Sequence, residues 1–302
     1  MCQINKFYVT IPTTMSNLLK PSYLKQLCEK YGLAPSKQYG QNYLISEKPI
    51  REMVVAGELT SEDVVVEVGP GFGVLTEAVA PLVKKMTSFE IEKKLQGYWE
   101  QKQKNFLNLE IVWGNFVYQF SDVQSTFPKK YKVLANIPYH ITSQILRMLL
   151  EAQNKPERII VMVQKEVAER ICSKPGNMSL LAVSVQYYGE PKMICKVTKG
   201  NFFPAPKVDS AVLCIKNICA RKEKFSDEEF FEIVRAGFAH PRKQMWSNLS
   251  EKIKDSKENH PAGWSANGLR IKEVVREVTG NEKIRAEELS VEQWKQIVER
   301  LK

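Results

Sequence analysis

The sequence predicts an α/β fold in which a mostly parallel, doubly wound sheet is followed by a small all-helical domain. Val64–Val68 is a continuous β-branched run, which is typical of a strand buried on both faces of a sheet. Similar short apolar runs alternate with segments of helical apolar spacing, and this alternation favours parallel strands. After Asn217 the sequence changes to charged segments with apolar residues at helical spacing, such as Asp227–Phe238.

The predicted elements follow one another without an internal repeat. The predicted strands are Val64–Val68, Met86–Ile91, Leu109–Trp113, Lys132–Ala135, Arg158–Val163, Pro191–Val197 and Asp209–Ile215. The predicted helices of the sheet domain are Pro21–Tyr31, Pro49–Ala56, Val74–Val83, Glu92–Gln103, Thr142–Glu151, one ending at Ile171, and Ser179–Tyr188. Those of the helical domain are Asp227–Phe238, Trp246–Ile253, Ile271–Val278 and Val291–Leu301, the last with Ser290 as its N-cap. We expect an N-terminal tail (residues 1–20), a sheet domain (21–217) and a helical domain (218–302).

Composition narrows the class of partner. The chain of 302 residues has 44 Lys and Arg against 34 Asp and Glu, a net charge of +10, which favours an acidic partner, nucleic acid ahead of membrane. No apolar run is long enough to span a membrane. The six cysteines and three histidines show no zinc-ligand spacing, so we expect reduced thiols and no metal site. We expect a cytoplasmic monomer.

A glycine-rich turn, Glu67–Gly73, directly follows the first predicted sheet strand and precedes a helix, the order of a nucleotide-binding unit. Gly69, Gly71 and Gly73 alternate with larger residues. The dinucleotide fingerprint requires its third glycine one residue later, where this chain has Val74. The pattern therefore favours a nucleoside ligand over a dinucleotide.

Two polar residues at neighbouring strand ends suit an adenosine moiety. Glu90 ends the next predicted strand, where a carboxylate can accept both ribose hydroxyls. Asn115 follows the third strand and can pair with the adenine edge. Gly71 and Gly73 would let the ligand lie against the backbone, where a Cβ would clash. The alternative for Glu90 is a strand-end acid on the surface.

The stretch Val133–Tyr139 carries the chemistry we consider central. Pro138 restricts the residue before it to extended conformations, so the strand must end in a stiff turn. The Asn136 side-chain oxygen and the Ile137 carbonyl are two acceptors for an amine, and Tyr139 offers a face for stacking. Together they suit the exocyclic amine of a nucleobase. The alternative is a strand followed by an ordinary proline turn.

These features resemble the Rossmann-like S-adenosylmethionine-dependent methyltransferases, and within them the amino-methylating branch marked by Asn-Ile/Leu-Pro-Tyr. Further motifs resemble those of the bacterial small-subunit (16S) rRNA adenine dimethyltransferases, the kasugamycin-sensitivity enzymes. The motifs are Tyr39–Leu44, Gln164–Ala168, Leu180–Tyr188, Phe202–Ser210 and Arg285–Ser290. The resemblance covers nearly the whole chain from Pro21 onward.

The resemblance implies a Rossmann-like methyltransferase sheet with a C-terminal all-helical domain, and S-adenosylmethionine as the cofactor. It implies N6,N6-dimethylation of two adjacent adenosines in a hairpin near the 3′ end of small-subunit rRNA, within a pre-30S particle. The implied cofactor contacts are Asn42 and Leu44 at the methionine end, Gly69 beneath it, Gly71 in the glycine turn, Glu90 at the ribose, Asn115 at the adenine, and Asn136. The implied contacts of the target base are Asn136, Ile137, Pro138, Tyr139 and a second aromatic wall, Phe202.

One departure concerns the adenine contact. The family usually has Asp where this chain has Asn115, so we expect cofactor affinity, rather than cofactor identity, to differ. Phosphate contacts are expected from Lys37, Arg242 and Lys243, each of which is equally well explained as a solvated cation.

Three other functions are compatible with parts of the sequence. A large-subunit rRNA adenine methyltransferase of the antibiotic-resistance type would share the Asn136–Tyr139 motif. A non-catalytic rRNA-binding assembly factor would retain the fold, with Asn115 as a first sign of lost activity. A nicotinamide-dependent dehydrogenase requires the glycine that is missing at Val74.

Overall fold

The computed structural model describes residues 15–33, 42–219, 223–255 and 268–302. Its strands are β1 (Tyr43–Leu44), β2 (Val64–Val68), β3 (Lys85–Glu90), β4 (Leu109–Trp113), β5 (Tyr131–Asn136), β6 (Arg158–Gln164), β7 (Glu190–Val197), β8 (Phe202–Phe203) and β9 (Ser210–Lys216). Its helices are α1 (Met15–Leu18), α2 (Pro21–Lys30), α3 (Glu47–Gly57), α4 (Val74–Val79), α5 (Gln96–Lys102), α6 (Phe116–Val123), α7 (Thr142–Glu151), α8 (Lys165–Ile171), α9 (Leu180–Tyr188), α10 (Asp227–Gly237), α11 (Met245–Asp255), α12 (Gly268–Thr279) and α13 (Val291–Leu301).

A seven-stranded sheet in the order β4-β3-β2-β5-β6-β9-β7 forms the centre of the first part of the chain. Strands β2 to β6 pair in parallel, and β9 runs antiparallel to β6. The predicted mostly parallel α/β sheet is therefore confirmed. Strand order reverses between β2 and β5, and open α/β sheets bind ligands in the crevice at such a reversal.

A second, two-stranded sheet joins two distant segments. Strands β1 and β8 pair antiparallel, with Leu44 opposite Phe202 and Tyr43 opposite Phe203. The aliphatic and aromatic side chains of Leu44 and Phe202 are both buried in the hydrophobic core. The pairing thereby fixes the segment that follows residue 41 beside the main sheet.

Contacts divide the chain into two units. The first consists of Met1–Ala168 and Lys192–Ile218, and the second of Glu169–Pro191 and Cys219–Lys302. The sequence had assigned all of residues 21–217 to the sheet domain, whereas residues 169–191 group with the C-terminal helices. The reason lies partly in α9, where the hydroxyls of Tyr187 and Tyr188 donate to the Asp227 carboxylate at 2.9 and 2.7 Å.

The second unit is helical, as its apolar spacing predicts. Tyr187 of α9 stacks on Phe230 of α10, with ring centroids 4.1 Å apart. The Ser290 hydroxyl accepts a hydrogen bond from the Gln293 N–H at 3.2 Å, so the predicted N-cap of α13 is confirmed. Within the two described ranges 223–255 and 268–302, most residues are in helices, which short turns connect.

Two local differences from the predicted elements affect the site. Helix α6 was not predicted, although Asn115 precedes it as an N-cap and accepts from the Val117 N–H at 2.9 Å. Residues 1–20 were predicted as a tail, but Met15–Leu18 form a short helix and Leu18 is buried.

None of the described helices is both long and apolar enough to cross a membrane.

Candidate active site

A pocket opens in the first unit at the reversal point between β2 and β5. Three segments contribute most of its lining: Asn42–Leu44, Gly69–Phe72 and Asn136–Tyr139. Glu67 and Glu90 also line it, so two carboxyl groups face one cavity. Nine of the sequence-predicted site residues therefore meet here: Asn42, Leu44, Gly69, Gly71, Glu90, Asn136, Ile137, Pro138 and Tyr139.

The glycine turn adopts a backbone that larger residues rarely adopt. Gly69, Gly71 and Gly73 have φ angles of 70°, 56° and 83°, all in the left-handed region. A Cβ added at Gly69 would meet no atom within 4 Å, so this residue borders open space. A Cβ at Gly73 would lie 2.6 Å from the Trp99 ring, which excludes larger residues there. The turn combines close packing on one side with room for a ligand on the other.

Glu90 ties the end of β3 to the glycine turn. Its Oε2 accepts from the Gly71 N–H at 3.0 Å and its Oε1 from the Glu92 N–H at 2.8 Å. Burial raises the pKa of this carboxyl, while the backbone N–H donors oppose the rise by stabilising the charged form. A carboxylate has about four acceptor positions, so the backbone N–H groups of Gly71, Ile91 and Glu92 leave capacity for a ligand hydroxyl.

Glu67 is a second buried carboxyl, and the sequence analysis gave it no role. Its Oε2 accepts from the Thr76 hydroxyl at 2.6 Å and the Ser88 hydroxyl at 2.8 Å. Burial raises the pKa of Glu67 to about 7, against the lowering effect of these hydrogen bonds. The sequence did contain a signal for this role, because Glu67 is an acidic residue within the β-branched run of β2, directly before the glycine turn.

The corner after β5 forms as Pro138 predicts: the strand ends at Asn136, and Pro138 has a φ of −57°. The Asn136 side-chain nitrogen donates to the Asn42 carbonyl at 3.2 Å. This bond orients the amide, and its oxygen is the end to which a ligand amine can donate. Ile137 is buried, which anchors the corner to the core.

Tyr139 is held through its hydroxyl. Tyr139 Oη lies 2.6 Å from the hydroxyl of Ser210, the buried first residue of β9. Burial raises the pKa of Tyr139, and the Ser210 hydrogen bond lowers it by a smaller amount. Ser210 belongs to a motif noted in the sequence, but its contact with Tyr139 joins residues far apart in the chain and had no sequence signal.

The other predicted residues that the structure describes lie outside the pocket lining. Asn115 caps α6, and its side-chain oxygen is engaged by the Val117 N–H. Phe202 is only 3% exposed and packs in the core opposite Leu44. Lys37 falls outside the described residues.

The two cations predicted in the second unit differ in their contacts. Lys243 pairs with Glu251, with Nζ 2.8 Å from Oε1. Arg242 is exposed, and within the described ranges it forms no ion pair. The same ranges contain no group of His, Cys, Asp and Glu side chains that would hold a metal ion.

The pocket residues fit S-adenosylmethionine, a nucleoside that carries positive charge. The open space beside Gly69 accommodates a ligand chain, and Glu90 has free acceptor capacity for ribose hydroxyls. Glu67 and Glu90 both line this pocket, and each attracts a cationic ligand when its carboxyl group is ionised. The sheet order and this pocket define a Rossmann-like methyltransferase of the S-adenosylmethionine-dependent class.

Comparison with known proteins identifies the family. A sequence profile described as "Ribosomal RNA adenine dimethylase" matches residues 33–301. The ribosomal RNA small subunit methyltransferase A of Dehalococcoides mccartyi is 37% identical over 281 residues, 90% of this chain and 90% of the relative. The protein of the same name from Bacillus mycoides is 34% identical over 289 residues, 93% and 96% of the two chains. The chain belongs to the ribosomal RNA adenine dimethylase family.

Solved structures agree with this fold. A dimethyladenosine transferase from Plasmodium falciparum has a TM-score of 0.70 and 23% identity, covering 84% of this chain and 95% of the other. The 23S rRNA methyltransferase ErmE has a TM-score of 0.66 and 26% identity, covering 85% and 98%. The predicted family, fold class and enzyme class, an rRNA adenine dimethyltransferase, are confirmed.

Proposed function

We propose that this enzyme transfers methyl groups from S-adenosylmethionine to N6 of two adjacent adenosines in a hairpin near the 3′ end of small-subunit rRNA. The observation that carries the proposal is the meeting of the Asn136–Tyr139 corner and the glycine turn in one pocket. The names of the curated relatives support the small subunit as the substrate.

The Asn136–Tyr139 corner would activate the target amine. The lone pair of adenine N6 is delocalised into the ring, which makes it a weak nucleophile. The Asn136 side-chain oxygen and the Ile137 carbonyl would accept the two N6 hydrogens and draw the nitrogen toward tetrahedral geometry. Both acceptors would also stabilise the positive charge that develops on nitrogen in the transition state. The bond from Asn136 to the Asn42 carbonyl supports this role because it orients the amide before substrate binds.

The opposite side of the pocket would hold the cofactor. When bound, S-adenosylmethionine would supply an electrophilic methyl group on a sulfonium centre and leave as S-adenosylhomocysteine, and the N6 proton that is lost would pass to water. Glu90 would accept the ribose hydroxyls, Gly69 and Gly71 would let the ligand lie against the backbone, and Asn42 and Leu44 would contact its methionine end. Holding both reactants in line makes transfer largely a matter of position. Asn115 remains our proposed adenine contact, although it also caps α6.

A base inside a hairpin must leave the stack to reach this pocket. Tyr139 would stack on the extruded adenine, a contact worth about 1–3 kcal/mol. Its hydrogen bond with Ser210 supports that role because it restricts the ring. Phe202 stays our proposed second aromatic wall on the resemblance alone, since its side chain is buried in the core opposite Leu44.

We further propose that the substrate is a pre-30S particle in the cytoplasm, bound by a monomer of this enzyme. The net charge of +10 suits a phosphate-rich partner, and binding would weaken with salt. Arg242 is the better-supported phosphate contact, since Lys243 is paired with Glu251. Lys37 stays in the proposal on the sequence alone.

The test is methyl transfer from tritiated S-adenosylmethionine to unmethylated small subunits, naked small-subunit rRNA and large subunits in parallel. We expect label in small-subunit RNA, recovered as N6,N6-dimethyladenosine. Label in large subunits alone would instead support the activity named for ErmE, with which this chain shares 26% identity. Binding of small subunits with no transfer to any substrate would support the assembly-factor alternative.

A further inference from the structure

The glycine turn is held from behind by helix α5. The Trp99 indole N–H donates to the Gly71 carbonyl at 3.0 Å. The Tyr98 hydroxyl and the Lys102 ammonium donate to the Phe72 carbonyl, at 2.7 and 3.2 Å. Two successive carbonyls of one tight turn are therefore fixed by one short helix.

Trp99 also fixes the turn by packing. Its side chain is fully buried, and its ring occupies the space in which a Cβ at Gly73 would lie. Trp99 does not line the pocket, whereas Gly71 and Phe72 do. The Gly71 carbonyl thus points away from the pocket and toward α5.

The direction of the Gly71 carbonyl also determines the direction of the Phe72 N–H, because both belong to the same peptide group. In a trans peptide the carbonyl of one residue and the N–H of the next point in opposite directions. With the Gly71 carbonyl directed at Trp99, the Phe72 N–H is directed to the pocket side. The neighbouring N–H groups are engaged, since Gly71 donates to Glu90 and Gly73 to the Pro70 carbonyl. Within the described ranges, the Phe72 N–H has no such acceptor.

We propose that Trp99 is a positioning residue for the cofactor: its indole N–H and ring hold the Gly71–Phe72 peptide so that the Phe72 N–H donates to an acceptor atom of bound S-adenosylmethionine. This inference rests on the proposed function, because it assigns a further donor to the same cofactor. Trp99 acts through the peptide and touches neither reactant.

The variant Trp99→Phe separates the hydrogen bond from the packing. It keeps a buried aromatic ring but removes the N–H, so the peptide is freed to rotate. We expect the Kd for S-adenosylhomocysteine to rise about two- to tenfold. In methyl transfer, KM for the cofactor should rise while kcat and KM for the RNA substrate stay unchanged. A merely structural role would instead lower the active fraction, reducing kcat at constant KM.

Two controls match this substitution. Trp294→Phe is the same change at a buried indole whose N–H has no partner in the described structure, so cofactor affinity should stay unchanged. Tyr98→Phe removes one of two donors to the Phe72 carbonyl. The N–H on the other side of that peptide belongs to Gly73 and already donates to the Pro70 carbonyl, so it is not available to a ligand. We therefore expect a smaller effect than for Trp99→Phe.

A measurement on the wild-type protein covers the case in which Trp99→Phe fails to fold. In ¹⁵N-phenylalanine-labelled protein, the Phe72 amide resonance, assigned by its loss in Phe72→Leu, should shift on addition of S-adenosylhomocysteine. An unmoved Phe72 resonance at saturation, or a wild-type Kd in folded Trp99→Phe, would overturn the inference and leave the proposed function intact. Absence of S-adenosylhomocysteine binding by the wild type would overturn both.

Discussion

The two sides of the pocket are held in different ways. The glycine side (Gly69–Gly73 with Glu90) lies between β2 and α4 and is fixed by several bonds from the next βα unit along the chain, donated or accepted by Glu90 of β3 and by residues of α5. The corner side (Asn136–Tyr139) depends on single side-chain contacts with distant segments, Asn42 and Ser210. Both sides need tertiary contacts, but those of the glycine side join residues 19 and 28 positions apart, whereas those of the corner side join residues 94 and 71 positions apart.

This difference predicts how substitutions will separate cofactor binding from methyl transfer. Changes on the glycine side should act on cofactor affinity, and changes on the corner side on transfer to RNA.

Replacing Asn136 with Ala should have the largest effect. It removes one of two acceptors that stabilise the developing charge on N6, so we expect transfer to fall about 100- to 1,000-fold. The measurement is single-turnover methylation of small subunits at saturating cofactor, with the thermal unfolding midpoint compared to confirm folding. Near-normal transfer by the folded variant would remove Asn136 from the mechanism.

Replacing Glu90 with Ala should weaken cofactor binding about 10- to 100-fold, because a charged acceptor is lost from the ribose and from the Gly71 N–H. Calorimetric titration with S-adenosylhomocysteine measures the change. Glu92→Ala is the matched control, because the Glu92 side chain caps its own turn by accepting from the Lys94 N–H. Equal losses in the two variants would contradict a specific role for Glu90.

Replacing Tyr139 with Ala should reduce transfer about 5- to 150-fold through the loss of stacking. Tyr139→Phe and Ser210→Ala each remove only the hydroxyl contact, so each should reduce transfer only a few-fold. The measurement is kcat/KM for small subunits. The double variant Tyr139→Phe/Ser210→Ala should be no worse than either single variant, and additive losses would show that the two hydroxyls act separately.

The raised pKa of Glu67 predicts two opposite pH dependences. The folded protein retains the Glu67 proton up to a pKa of about 7, whereas the unfolded chain loses it near 4.5, so the folded state binds more protons between these values. The Glu67 contribution to the free energy of unfolding should therefore decrease as pH rises through this range. Affinity for cationic S-adenosylmethionine should increase as pH rises through about 7, because the carboxyl becomes charged.

Denaturant unfolding and S-adenosylmethionine titration, both between about pH 5 and pH 8, test these dependences. Glu67→Gln should make both profiles shallower near pH 7, since its amide does not titrate and still accepts from Thr76 and Ser88. Profiles of Glu67→Gln that match the wild type would assign the pH dependence to another group.

Most of the fold could be predicted from local patterns, while the site could be predicted only in part. The β-branched run of β2 and the apolar face of α7 gave element bounds that the structure reproduces, Val64–Val68 and Thr142–Glu151. The glycine turn and Pro138 likewise have strong local signatures. Helix α6 was missed because Asn115 was interpreted only as the residue that follows a strand, although it is also a helix N-cap.

The contacts that orient the site were beyond local patterns. Asn136 with Asn42 and Tyr139 with Ser210 join residues 94 and 71 positions apart, so only the tertiary fold brings them together. Trp99 was similarly interpreted as part of a helix, because nothing in its sequence context indicates the Gly71 carbonyl as its partner. Residue types suggested the chemistry, and the fold supplied the partners that position it.

A crystal structure with S-adenosylhomocysteine tests the central claim most directly, that both sides of this pocket serve one reaction. We predict the ribose hydroxyls on Glu90, the Phe72 N–H bonded to the ligand, and the sulfur facing the Asn136 side-chain oxygen. A ligand bound elsewhere, or an Asn136 amide turned away from the ligand, would contradict the account.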